Sequence, residues 1–539
     1  MKKKLFIITV SLFFSLFLIS SFFPCSAQCL APTNKTYINI NDINATIKTN
    51  GTLFFDEGAG FEVPKGSGKK TLFSASLWLG GLDEQDNLHL AAMRYAQIGN
   101  DFWAGPISNG GAAAGSYYDK IWRVTKEEIE YHKAHHGDPY YITPLSLLDW
   151  PAHGREMYQE SYYLAPFVNV AGSERYEPEL GDYPLIRGDE ALFFMLNDDC
   201  GSHTETQGVP LGVEILCMVY AFNDPDDDLQ HTLFISYEIR NKSDNNYKDF
   251  HIGFFSDFEI GYGYDDYIGC DTLLNLGYGY NATIIDGDGE IYAYGENPPA
   301  QGAMFLNKKM STFAYFNNGS GATSDPTISY QYYNYMKALW KDQTPFTYGG
   351  TGYDLPSDHT KYMFSGDPVT KTGWTELTPY GPESSPNSPN DRRGLLAAGP
   401  YMLSAGESVC IDIAFPWAQA EKNNIASVAL LKQRANTIQQ FYNAQNYEDF
   451  CFTMVGIKDN INNHNELIFF PNPSNGHFTV NSKTIIESIE LYDVVGKKVF
   501  SDTPQVSTPQ ISTDLPQGLY FYRVVTKDNA IHSGKILVQ

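Results

Sequence analysis

The sequence predicts a mainly β protein: a large β-sandwich-like body with a few peripheral helices, followed by a small C-terminal immunoglobulin-like β-sandwich. Three observations predict it. From Tyr37 onward, short runs that alternate apolar and polar residues recur between turn signals, the pattern of strands with one buried face. The 539 residues include 37 Tyr and 34 Phe, and aromatic rings suit a pleated, half-buried surface. With them come 46 Gly and 29 Pro, enough to supply many turns.

The strands are read in order. Residues 71–79 form one run, closed by Gly80 and Gly81; residues 213–222, 231–240 and 249–255 form three more. These read as neighbouring antiparallel strands. Residues 399–407 and 408–415 read as paired strands of a final sheet. Helices are few. Thr125 followed three residues later by Glu128 has the capping-box pattern and opens a helix to about His135. A second helix is predicted from Ile425 to Asn443, with Val428, Leu431, Ala435, Ile438 and Phe441 at helical spacing. Residues 372–393 read as loop, and the acidic run 224–228 as a solvated hairpin loop.

Composition narrows the partners. Lysine and arginine total 37 against 63 aspartates and glutamates, a net charge of −26. Such a chain repels nucleic acid and anionic lipid, so both are discounted. It offers carboxylates to divalent cations instead.

The N-terminus carries Lys2, Lys3 and Lys4, then an apolar run from Leu5 to Phe23, then Pro24 and the small residues up to Ala27. This is the order of a secretory signal cleaved between Ala27 and Gln28. The alternative is a retained anchor, since the run could just span a bilayer. Of the seven cysteines, Cys25 lies in this segment. The other six, Cys29, Cys200, Cys217, Cys270, Cys410 and Cys451, are compatible either with disulfides or with buried thiols. Their wide spacing speaks against zinc.

The organisation that follows is a signal peptide over 1–27, a secreted body over 28–455 in one or two domains, a polar linker over 456–465, and a terminal domain over 466–539. The last segment has a distinctive motif order. Pro471, Asn472, Pro473 and Gly476 make a rigid turn between two strands. Asp493 and Gly496 bracket a hairpin turn. Gly518 precedes the aromatic strand holding Tyr520, and Gly534 and Lys535 open the final strand. These motifs resemble the type A C-terminal sorting domain of the Bacteroidetes type IX secretion system. The resemblance implies recognition by type IX machinery at the outer membrane, then removal of the domain. The body would be joined to surface lipopolysaccharide or released, hence extracellular or on the cell surface. The body itself resembles an uncharacterised family of large surface proteins of the same bacteria, through residues 63–68, 76–83, 99–106, 181–189, 197–198 and 265–271. That likeness implies no activity.

Within the body, an acidic segment is the best chemical constellation. Asp257, Glu259, Asp265, Asp266 and Asp271, with Asn275, Asn281, Asp286 and Asp288 nearby, supply oxygen ligands among glycines, as a structural calcium requires. The spacing is not that of an EF-hand, and a solvated acidic loop with Asx-turns is the competing reading. His132 and His136 share one helical face, but no HExxH accompanies them. No GxSxG and no Cys–His pairing point to a nucleophile, so no catalytic residue is assigned. The aromatic stretch 330–335, with Trp340, Tyr348, Tyr353 and Trp374, is either core packing or a contact surface for a glycan or protein. Two functions therefore fit the body: a structural, adhesive or glycan- or protein-binding module, which is favoured, or a secreted hydrolase acting on polysaccharide or peptide.

Overall fold

Alternation along the strands is resolved into two large antiparallel sheets in the computed structural model. It describes residues 29–56, 60–287, 289–445, 467–470, 474–482, 484–493, 497–527 and 531–538. The signal-cleavage residues Ala27 and Gln28, together with Asp288, Cys451, Pro471, Asn472, Pro473 and Gly496, lie outside them. The chain divides into two units: residues 1–127, 153–165 and 186–452 in one, residues 128–152, 166–185 and 453–539 in the other.

In the first unit, one nine-stranded sheet runs from Lys35–Ile38 through Asn44–Lys48, Thr52–Leu53, Lys70–Leu82, Tyr247–Phe258 and Arg392–Leu403 to Thr312–Asn317. The second nine-stranded sheet runs from Asp266–Asp271 through Leu276–Asn281, Ala300–Phe305, Ser408–Ala418, Thr232–Asn241, Val213–Ala221 and Glu190–Asn197 to Trp103–Ala104. Side chains alternate across a strand. Leu233, Ile235, Tyr237 and Ile239 of one sheet therefore share a core with Ile252 and Phe254 of the other. Phe254 meets Phe415 ring to ring at 5.6 Å and Tyr237 at 6.4 Å, which fixes the two sheets as a sandwich.

Both outer faces are covered as well. Helix Asn424–Ala444 buries Val428, Leu431, Ala435 and Ile438, as the spacing predicts, but its next inward residue is Tyr442 rather than Phe441. Helix Ser329–Met336 buries Tyr332, Tyr333 and Tyr335, so the tyrosine-rich stretch is largely core. Tyr332 packs on Trp78 at 4.7 Å and Tyr335 stacks on Phe316 at 5.0 Å. The strands beneath are consequently buried on both faces.

The strand pairing differs from the sequence reading in two places. Thr232–Asn241 and Tyr247–Phe258 follow one another but belong to different sheets, and so do Arg392–Leu403 and Ser408–Ala418. The connecting segments arch between the sheets instead of closing hairpins. The acidic run 224–228 is also not a plain loop. Asp226 caps a short helix, Asp227–Gln230, and Arg434 pairs with both Asp227 and Asp228. Cys29 and Cys200 form a disulfide, Cys410 is disulfide-bonded too, and Cys217 and Cys270 are buried thiols.

In the second unit, the terminal region holds a three-stranded sheet (Leu467–Phe470, His477–Ser482, Gln510–Ser512) and a four-stranded sheet (Lys498–Asp502, Ile486–Tyr492, Gly518–Thr526, Ile531–Val538). Phe478, Val480 and Ile511 of the first share a core with Ile489, Leu491, Val524 and Ile536 of the second, a small β-sandwich. The predicted helix at Thr125 runs Lys126–His135, and its His132 is buried against the Tyr141 hydroxyl at 3.0 Å.

Candidate functional site

The acidic residues singled out in the sequence fall into separate places. Asp257 lies near the end of Tyr247–Phe258, two residues beyond Phe255 and thus on the same outer face as the ring stack of Trp78, Phe255 and Phe316. Its register partner on the neighbouring strand is Arg393. Glu259 follows one residue after the strand ends, and Asp391 immediately precedes Arg392–Leu403. Oxygens of Asp257, Glu259 and Asp391 all lie within 4.8 Å of one another.

Arg393 is the cation facing this trio. Its Nη2 donates to Asp391 at 3.1 Å and stands 3.7 Å from Asp257 Oδ2. Its Nε donates to the Tyr95 hydroxyl at 2.8 Å, and Tyr95 in turn donates to Asp257 Oδ2 at 2.6 Å. The network continues inward. Arg393 lies 3.6 Å from Asp325, which pairs with Arg94 at 2.8 Å, and Arg94 approaches Glu205 at 3.5 Å. Five carboxylates thus share two guanidinium groups. Burial pushes the Asp257 carboxyl well above its usual range despite Arg393. Burial, reinforced by the charge on Asp391, pushes Glu259 up to about 7.

Asp265, Asp266 and Asp286 do a different job. They accept backbone N–H groups and so shape the following loop. Asp266 accepts from Ile260 at 2.8 Å, Asp286 from Tyr262 at 3.0 Å and Tyr294 at 2.5 Å, and Asp265 from Gly287 at 3.1 Å. Gly261 sits inside this wrap at φ +69°, where a Cβ would come within 2.0 Å of Asp286. Asp271 stands apart, 3.2 Å from Lys432, and its other oxygen accepts from Leu273 at 3.1 Å. Asn281 donates to Asp265 at 3.4 Å, whereas Asn275 accepts from Met310 at 2.9 Å. Asp391 was not singled out in the sequence because it lies far along the chain from Asp257. Only the sheet register joins them.

A cleft of about 1200 Å³ lies elsewhere. Its wall is rich in amides, with Asn275, Asn307, Asn436, Gln439 and Asn443, and it carries Lys308, Lys309 and Tyr362. No carboxylate lines it among the described residues. Lys308 is partly buried, which lowers its ammonium below the usual range, and it lies 5.9 Å over the Tyr401 ring.

The sorting motifs that are described fit the small terminal sandwich. Gly476 takes φ +88°, and a Cβ there would meet the Thr513 carbonyl at 2.6 Å. Asp493 Oδ1 accepts from the Lys497 N–H at 2.9 Å, closing a tight turn. Gly518 begins its strand, and Tyr520 is buried with its hydroxyl donating to Pro516 at 2.7 Å. Gly534 and Lys535 pair with Tyr522 and Phe521 in the terminal sheet.

Comparison with known proteins agrees on this region. No curated protein sequence matches the chain. Solved structures similar in part include CopC from Methylosinus trichosporium OB3b, at 21% identity and TM-score 0.11, covering 14% of this chain and 89% of its own. A polysaccharide lyase gives 8% identity and TM-score 0.18, covering 60% and 34%. Dimeric latent PorU from Porphyromonas gingivalis gives 12% identity and TM-score 0.12, covering 65% and 31%. The chain spans about a third of the length of the latter two. At these TM-scores none assigns a fold or an activity to the body. Residues 468–539, in contrast, match the family described as the secretion system C-terminal sorting domain. The chain therefore carries a secretion-system C-terminal sorting domain at its C-terminus, the mark of a type IX cargo protein.

Proposed function

We propose that type IX export delivers the body outside the cell, where it works as a binding protein for an acidic saccharide. Removal of the sorting domain then leaves the body joined to surface lipopolysaccharide or released. The observation that carries the binding reading is the chemistry of the large cleft. Side-chain amides donate and accept at once and so match vicinal sugar hydroxyls, and Lys308 and Lys309 add positive charge in a chain of net charge −26. A uronate or sulfated sugar fits that combination, because the amides serve its hydroxyls and the two lysines its acid group. The hydrolase reading has less support. The closely spaced acids lie at the end of a sheet under Tyr95 and Arg393, away from the cleft-lining residues.

The test is a glycan array probed with the exported protein. Acidic saccharides are expected to be retained, with retention falling at least tenfold in a Lys308→Ala, Lys309→Ala double variant. Retention of no glycan, or equal retention by the double variant, overturns the reading.

A further inference from the structure

We propose that Asp257, Glu259 and Asp391 form a calcium site that clips the end of the Tyr247–Phe258 strand to the start of Arg392–Leu403. The geometry suits the ion. Calcium binds oxygens at about 2.4 Å, so two ligand oxygens stand at most about 4.8 Å apart. The three carboxylates satisfy that limit pairwise. Among the described residues no histidine or cysteine joins the group, which leaves a hard, all-oxygen donor set and speaks against zinc.

A second observation is independent of the clustering. Asp257 is wholly buried and Asp391 is 5% exposed, yet Oδ1 of each has no hydrogen-bond partner among the described residues. A buried carboxylate oxygen left this way carries a large desolvation cost. Arg393 addresses only the Oδ2 atoms of the two aspartates. Arg393, shared with Asp325, is the guanidinium in contact with the group, and Lys70 adds positive charge near Glu259, so negative charge stays in excess at close range and a divalent cation offsets it. Magnesium is a poorer occupant because it sheds its water reluctantly, and this group sits beneath the Tyr95 and Arg393 side chains. The Asp265, Asp266 and Asp286 group also holds unpartnered Oδ1 atoms, on Asp265 and Asp266, but it lacks the clustering among the described residues. Asp286 has both oxygens taken by backbone N–H groups.

Calcium titration of the chelator-stripped full chain, followed by calorimetry and by thermal melting, tests the proposal. One equivalent of calcium is expected to bind and to raise the melting temperature, with magnesium giving neither effect. Asp391→Asn and Glu259→Gln should each weaken binding at least tenfold. Asp265→Asn, in the neighbouring loop, should bind as the unaltered protein does and serves as the folding control. Absence of stoichiometric binding overturns the site and leaves protons as the compensating charge. So does binding unaffected by both Asp391→Asn and Glu259→Gln, binding lost in Asp265→Asn, or equal binding of magnesium. Glu259 is at the strand's end and only partly buried, so Glu259→Gln remains informative where an aspartate variant fails to fold.

Discussion

Arg393 stands directly opposite Asp257 on the adjacent antiparallel strand, and Tyr95 joins the two through its hydroxyl. That relationship organises the outer face of the first sheet. Three segments distant in sequence meet there: the one after Leu88–Ala92, the end of Tyr247–Phe258 and the start of Arg392–Leu403. Deleting one member of a buried charge network strands the others, at a cost of about 3–5 kcal/mol. Arg393→Met should therefore lose about that much in urea unfolding, because Asp257, Asp391 and Asp325 would lose their shared cation. Tyr95→Phe, which removes only the hydroxyl, should lose about 1–2 kcal/mol. Equal losses in the two variants would show that packing, not charge, dominates the position.

Glu205 makes stability depend on pH. Burial pushes its carboxyl up to about 7, against the opposing pull of Arg94, and the neighbouring Asp101 pushes in the same direction as burial. Tyr332 faces it as well. The folded value exceeds the unfolded one of 4.5, so the native state holds this proton more tightly. The advantage is full below pH 4.5 and is lost as pH rises to about 7. The window amounts to about 3 kcal/mol. Glu205→Gln should flatten this part of the stability profile and raise stability at pH 8. Urea midpoints at pH 5 and pH 8 in the two proteins measure it.

How much of this was legible follows from where the information sits. Alternation between apolar and polar residues reveals a strand and its buried face, so the strands around Trp78, Cys217 and Ile235 could be read directly. It does not name the neighbour. Asn241 and Tyr247 are joined by a turn-rich segment that looks like a hairpin, yet their strands belong to opposite sheets. Two covered faces remove the contrast that would separate an arch from a hairpin. The tyrosines at 332 and 335 have helical spacing, but the many aromatics around them blur the period. Asp257 and Glu259 were visible as a short acidic pair. Asp391 sits in a loop-like stretch, and only pairing of Asp257 with Arg393 brings it near. The sorting domain was the most legible region because turns such as the one in which Asp493 accepts the Lys497 N–H are tight and local.

The bond between Cys29 and Cys200 should matter to the body's stability. It ties the N-terminal edge to a point 171 residues away. Closing so long a loop restricts the unfolded chain and stabilises the fold by about 3–5 kcal/mol on the chain-entropy account. Cys200→Ser should lower the urea midpoint accordingly. The same variant should make the protein insensitive to reductant over the concentrations that destabilise the parent through this bond.

Gly476 offers a test that separates export from body stability. At φ +88° an L side chain is strained, and its Cβ would meet the Thr513 carbonyl at 2.6 Å. That carbonyl belongs to backbone and cannot swing away. The Gly476 carbonyl also accepts the Thr513 N–H at 2.8 Å, so displacing the turn breaks the link between the His477–Ser482 strand and its neighbour Gln510–Ser512. Gly476→Ala should destabilise the terminal sandwich by about 1–3 kcal/mol. Most of the body, including residues 186–445, belongs to the other unit, so the melting transition of that unit should not move. Fractionation of cells carrying Gly476→Ala should then show less protein at the surface and in the medium and more retained inside. Unchanged export with a destabilised terminal domain would mean that recognition does not require this turn to be in its native form.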